Sequence, residues 1–182
     1  MTTIATHASA STVRLGMWLF LASEAMLFGS LVSGYALLRA GAPAWPSSEG
    51  VLNLWLALGQ TLLLAAATLT SPRGLASTAV RGRLLAGGAL ALVFVCVKVV
   101  EYGAKLDANL TPAANLLLAS WFTLTGVHAA HVAGGALAAA WLAGPGWNVA
   151  EGRRSARLDA LGLYWLFVDA VWLVLLVGFY LV

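Results

Sequence analysis

The amino-acid sequence predicts an all-α integral membrane protein, a bundle of five transmembrane helices. Three observations predict it. Of the 182 residues 61% are hydrophobic and 9% charged, and the mean hydropathy of +0.88 leaves too little polar surface to cover a soluble core. The apolar residues gather into runs of about 20, the length an α-helix needs to cross a hydrocarbon layer roughly 30 Å thick. The breaks between runs, residues 41–50, 71–83, 105–111 and 143–159, are short and rich in Gly, Pro, Ser and charge, the composition of loops.

The first run, residues 15–38, follows a mildly polar tail of residues 1–13. That tail lacks a basic segment ahead of a short apolar core, which argues against a cleaved signal peptide. The chain therefore reads as a cytoplasmic tail and one membrane domain, residues 14–182. Within the first run the single charge is Glu24. An ionised acid at mid-membrane costs at least ~2.5–3.5 kcal/mol on insertion scales, so Glu24 has to be paired, protonated or functional. It shares a face with Phe28, Leu31 and Tyr35, and that face is expected to point into a protein interface.

The second run, residues 51–70, is apolar with hydroxyl residues. The third, residues 84–104, contains the lone Cys96, which excludes an intrachain disulfide, and ends on Lys98, Glu101, Tyr102 and Lys105. Glu101 stands three residues after Lys98 and four before Lys105, spacings that place ion pairs on one helix face; near the interface, long side chains snorkelling to water are the plainer expectation. In the fourth run, residues 114–142, His128 and His131 lie three apart in TGVHAAH. Two imidazoles do not make a metal site, and neither a Cys nor a zinc-protease Glu accompanies them, so hydrogen bonding between helices is the expectation. The fifth run, residues 160–182, places Asp169 four residues after Trp165 and three before Trp172, where indole N–H groups can serve its carboxylate. Glu24, His128 and Asp169 fall at similar depths, counting 1.5 Å per residue, and are expected to approach one another.

Small residues spaced four apart, Gly29 with Ser33, Ser30 with Gly34, and Gly126, Ala130 and Gly134, let helix backbones approach closely in lipid. Arg14, Arg73, Arg81, Arg83, Arg153, Arg154 and Arg157 lie on one side of the bilayer, and only Arg39 and Lys105 on the other. The asymmetry places the N-terminus in the cytoplasm and the C-terminus outside. It also accounts for the net charge of +3 without nucleic acid.

The segments GMWLFLASEAMLFGSLVSGY, VKVVEY, LTGVHAAHVAGG and YWLFVDAVWLVLLVGFYLV, in that order, resemble subunit III of the haem–copper terminal oxidases in its short, five-helix bacterial form. The resemblance implies a non-catalytic subunit, multi-pass in the bacterial inner membrane, that binds no metal, haem or copper itself. It would pack on the catalytic haem- and copper-bearing subunit I, with subunit II as a further partner. It would also hold phospholipid and support proton uptake and sustained turnover in dioxygen reduction; the family includes subunits of cytochrome c oxidases and of quinol oxidases, and a cytochrome c oxidase is expected ahead of a quinol oxidase. Glu24 matches the family's intramembrane glutamate, Glu101 the acid of its E-Y pair, His128 and His131 its two histidines, and Asp169 its F-V-D aspartate; Trp165 and Trp172 flank the last. The chain departs from the family at Leu166, where His is common, and at Lys98, where Gln is common. A subunit beside a nitric oxide reductase and an independent small transporter are the alternatives; the absence of a nucleophile–base arrangement and of inverted repeats weighs against the second.

Overall fold

The computed structural model describes residues 2–71 and 78–181, with side chains from 11 to 71 and from 79 to 181; Arg73 of the charge pattern lies outside the described residues. All described secondary structure is helical: α1 (Thr2–Gly41), α2 (Leu54–Thr70), α3 (Thr78–Asp107), α4 (Leu116–Ala143) and α5 (Glu151–Leu176), with a 3-10 turn at Pro145–Trp147 and a π-helical turn at Val177–Leu181. Four helices are long and apolar enough to cross a membrane, the segments Ser11–Gly41, Ala79–Asp107, Leu116–Ala143 and Glu151–Leu181, and Leu54–Thr70 is a shorter apolar helix.

Helix ends depart from the apolar runs for local reasons. Helix α1 extends back to Thr2 because the polar tail contains neither Gly nor Pro to stop it. Helix α2 starts only at Leu54, where the Asn53 side chain caps it by accepting from Leu56 N at 3.1 Å. Asn115 caps α4 in the same way, through Leu118 N at 2.9 Å. At the end of α3, Asn109 takes a left-handed φ of 59°. Asn109 N then bonds Leu106 O at 3.0 Å and Leu110 N bonds Lys105 O at 2.9 Å, the reciprocal pair that satisfies the last carbonyls of a helix. Helix α5 begins at Glu151, so the charges of residues 151–159 form its first turns instead of a loop.

Helix α3 packs on α2 and α4, α5 packs on α1, α2 and α4, and α1 touches α4 lightly. Helix α1 is thus an edge helix and the least covered of the long spans. The expected close approaches occur neither in α1 nor at Gly126 and Gly134 of α4, where an added Cβ would meet only ordinary contacts at 3.7 and 3.8 Å; the tight position is the neighbouring Gly135. A Cβ at Gly135 would lie 2.9 Å from Tyr164 and 3.0 Å from Trp165, whereas Gly29 and Gly34 face open space. Ser30, on the same helix, is exposed and returns its hydroxyl to Leu27 O. The core lies where α3, α4 and α5 meet, around the fully buried Trp121, Trp172, Phe94 and Val132.

Candidate functional site

Two polar centres are built into the apolar core, one joining α1 to α4 and one joining α2, α3, α4 and α5.

In the first, Glu24 does turn inward with Phe28 and Tyr35, both buried, but its partner is His131. Glu24 Oε2 lies 2.8 Å from His131 Nε2, and the ring is held by an edge contact with Phe28 at 5.0 Å. His131 Nδ1 is 2.8 Å from Val127 O, one turn back. A carbonyl only accepts, so Nδ1 carries a proton. Nε2 and Oε2 can then bond only if one further proton lies between them, whether as imidazolium with carboxylate or as neutral imidazole with carboxylic acid. The pair is neutral in either form. Tyr164 donates to His131 O at 2.7 Å, anchoring this turn of α4 to α5.

His128, three residues earlier, serves a different neighbour. It is fully buried, donates from Nε2 to Val168 O at 3.2 Å, and leans on Trp172 and Phe94 at 5.2 and 5.7 Å. Among the described residues its Nδ1 has no hydrogen-bond partner. The anticipated convergence of Glu24, His128 and Asp169 is therefore replaced by separate contacts, because residues three apart on a helix point about 60° away from each other.

The second centre surrounds Lys98 and Glu101. Lys98 has no solvent exposure, and its Nζ lies 2.9 Å from Glu101 Oε2, which also accepts from Gln60 Nε2 at 3.2 Å. The Lys98 ammonium sits 4.9 Å from the ring centres of both Trp121 and Trp172. Snorkelling is thus corrected by the structure: the cation turns inward to a carboxylate and two indole faces, which substitute for water. Lys105 takes a different route, donating to Val51 O and lying 5.0 Å from the Trp121 ring. Around this centre Trp172 Nε1 donates to Thr61 Oγ1 at 2.9 Å and Trp121 Nε1 donates to Tyr180 Oη at 3.0 Å. Thr125 gives its proton to Trp121 O at 2.6 Å, so Tyr102 donates to Thr125 Oγ1 at 2.7 Å.

Asp169 joins neither centre. It is half-buried beside Thr68 of α2, with its buried Oδ1 outside hydrogen-bond geometry. The expected Trp172 contact goes to Thr61 instead, and Trp165 is buried beneath Gly135. Leu166 is exposed and lines a shallow groove of about 440 Å³ with Arg14, Trp18, Asp159 and Gly162.

Gln60, Thr61 and Tyr180 are participants the sequence reading missed. Gln60 was the most accessible signal, being the one amide in an otherwise apolar and hydroxyl-bearing helix. Among the described residues no three His, Cys, Asp or Glu side chains converge as a metal site.

Fold and polar centres together define a polytopic helical membrane protein in which one buried charged pair lies within a helix, Lys98 with Glu101, and one polar pair joins two helices, Glu24 with His131. A family model described as cytochrome c oxidase subunit III matches residues 2–182, and the chain belongs to that family. It is 27% identical to the cytochrome bo(3) ubiquinol oxidase subunit 3 of Pseudomonas aeruginosa, covering 96% of this chain and 87% of that protein. It is 32% identical to the cytochrome c oxidase subunit 3 of Synechocystis, covering 91% and 74%. To the haem-copper oxidase subunit I+III of Aeropyrum pernix it is 31% identical, over 93% of this chain and 23% of that much longer protein.

Proposed function

We propose that this chain is the non-catalytic subunit III of a proton-pumping haem–copper oxygen reductase in a bacterial inner membrane, serving cytochrome c rather than quinol oxidation. Family membership across residues 2–182 carries the reading. All five helices cross the bilayer in it, the N-terminus cytoplasmic and the C-terminus outside. The 17 residues of α2 supply about 26 Å at 1.5 Å per residue, within the range of short spans. Haem and copper belong to the partner, subunit I, with subunit II alongside. The relative in which subunits I and III are one chain supports the first of these partnerships.

In this role the chain packs beside subunit I, holds phospholipid and sustains proton uptake and turnover. Glu24 is the residue that matters most to proton uptake, because its bond to His131 requires a proton between them. Glu101, His128, Trp165 and Trp172 act by holding helices in register, and Asp169 lies beside Thr68 where α5 faces α2. The open space along α1 at Gly29 and Gly34 suits the approach of a further helix.

The test is to purify the tagged chain in mild detergent, record reduced-minus-oxidised spectra of what accompanies it, and measure oxygen uptake with cytochrome c and with quinol. Haem signals with cytochrome c-driven uptake are expected. A colourless chain from cells that express the oxidase would overturn the subunit reading, and uptake driven by quinol alone would overturn the choice of donor.

A further inference from the structure

Thr68 and Ser71 stand one turn apart where α2 ends, and each is 7% exposed. Among the described residues neither hydroxyl has a hydrogen-bond partner, and neither does the buried Oδ1 of Asp169 on the facing helix α5. Thr68 neighbours Asp169, and an added Cβ at Gly162 would lie 3.8 Å from Ser71 Oγ. The three oxygens therefore follow one another along the α2–α5 seam, from Ser71 at the level of Gly162 to Thr68 and then Asp169, which lies about 10 Å further along α5 at 1.5 Å per residue. Gly162 also borders the groove that opens beside the exposed Arg14 and Asp159, so the seam reaches an aqueous end.

Charged side chains do not satisfy these oxygens. Helix α2 carries no ionisable residue. On α4, His128 is committed to Val168 O and His131 to Glu24; on α1, Arg14 faces Asp159 and Arg39 bonds Tyr35. The remaining charges of α5 lie in its first three turns, between Glu151 and Asp159. A buried oxygen left unpaired costs its desolvation penalty in full, and at membrane depth ordered water is what satisfies polar groups that no side chain reaches. A buried water makes about three hydrogen bonds, which two hydroxyls and a carboxylate oxygen in sequence can supply.

We propose that ordered water occupies the α2–α5 seam and hydrates the Asp169 carboxyl through Ser71 and Thr68, entering from the end of the bundle marked by Arg14 and Asp159. The water takes the place of the indole donors that Asp169 lacks, since Trp172 Nε1 is given to Thr61. It joins α2 to α5 at a second level, beyond that direct bond. The site depends on this chain's own residues and not on which subunits accompany it.

The discriminating variant is Thr68→Val, which keeps the shape of the side chain and deletes the hydroxyl. In a dry seam it removes an unsatisfied oxygen and leaves stability equal or higher, whereas in a hydrated seam it takes a partner from bound water and lowers stability. The melting temperature of the purified chain, together with whatever subunits it retains, should fall by about 2–4 °C, the scale of one lost hydrogen bond in a chain of this size. Ser71→Ala should act in the same direction, and the double variant should fall by less than the sum because the two hydroxyls serve the same waters. Cryo-electron microscopy of the same sample, at a resolution that shows water, should place density within hydrogen-bond distance of Thr68 Oγ1 and Asp169 Oδ1. A melting temperature unchanged or raised in Thr68→Val, or a side chain of a neighbouring subunit standing where the water density is expected, would overturn the proposal.

Discussion

Removing Lys98 leaves Glu101 in the core with one amide donor, Gln60 Nε2 at 3.2 Å. Removing Glu101 leaves the Lys98 ammonium against two indole faces at 4.9 Å. Breaking a buried pair by deleting one partner costs about 3–5 kcal/mol, whereas a desolvated cation retains about 2 kcal/mol from an aromatic face. Lys98→Met should therefore fall in the upper part of that range and Glu101→Gln near or below its lower end, about 2–3 kcal/mol. The double variant removes both charges and should cost less than the sum of the single changes, by about 2–3 kcal/mol of coupling. The assay is denaturant titration of the purified complex in mixed micelles, followed by tryptophan fluorescence, since Trp121 and Trp172 form the walls of the site. Lys98→Gln keeps an N–H donor toward Glu101 and should lie between wild type and Lys98→Met. Additive single and double variants, with coupling below about 0.5 kcal/mol, would refute the buried pair as the organiser of this centre.

Glu24→Gln retains a donor for the Nε2 lone pair without needing the shared proton, so assembly should be preserved while proton uptake or the endurance of turnover falls; unchanged proton release and inactivation half-life would reduce Glu24 to packing. Gly135→Val forces a side chain into Tyr164 and Trp165 and should destabilise by about 1–3 kcal/mol, whereas Gly88→Ala, whose Cβ meets ordinary contacts at 3.5–4.0 Å, should lie within about 0.5 kcal/mol of wild type; melting temperatures of the two complexes check the contrast. Asn109→Val places a β-branched residue at a φ of 59° and should cost about 1–2 kcal/mol, while Asn109→Gly should be tolerated, as compared by the same melts.

Helical content and four of the long apolar elements were legible because hydropathy acts locally and a span is defined by length. The expensive residues were legible for the same reason: Glu24, Glu101 and Asp169 stand out against their runs whatever they touch. Partners were not. Spacing alone allowed Glu101 to pair with Lys98 or Lys105, and the choice is set by tertiary structure, since Val51 in the segment between α1 and α2 comes within reach of Lys105. His128 and His131 differ by about 60° around α4, so the crossing with α1 decides which of them meets Glu24. Trp172 was expected at Asp169 because they share a helix, but its N–H points across to Thr61 on α2, a contact no pattern within α5 can reveal.

The two centres restrain the bundle in different ways. Lys98 and Glu101 are on the same helix, so their attraction adds little between helices by itself; what joins α2, α4 and α5 to α3 is the surrounding set of Gln60, Trp121, Trp172 and Tyr102. Their rings and amide take the place of water around a charge that cannot leave. Glu24 and His131 lie on separate helices, and their bond acts directly on the edge helix α1, which otherwise touches α4 lightly. The backbone bond from Nδ1 to Val127 O fixes the imidazole orientation. The seating of α1 on α4 therefore leans on one hydrogen bond between two side chains, whereas the Lys98 centre holds its helices through a set of amide and ring contacts spread over α2, α4 and α5.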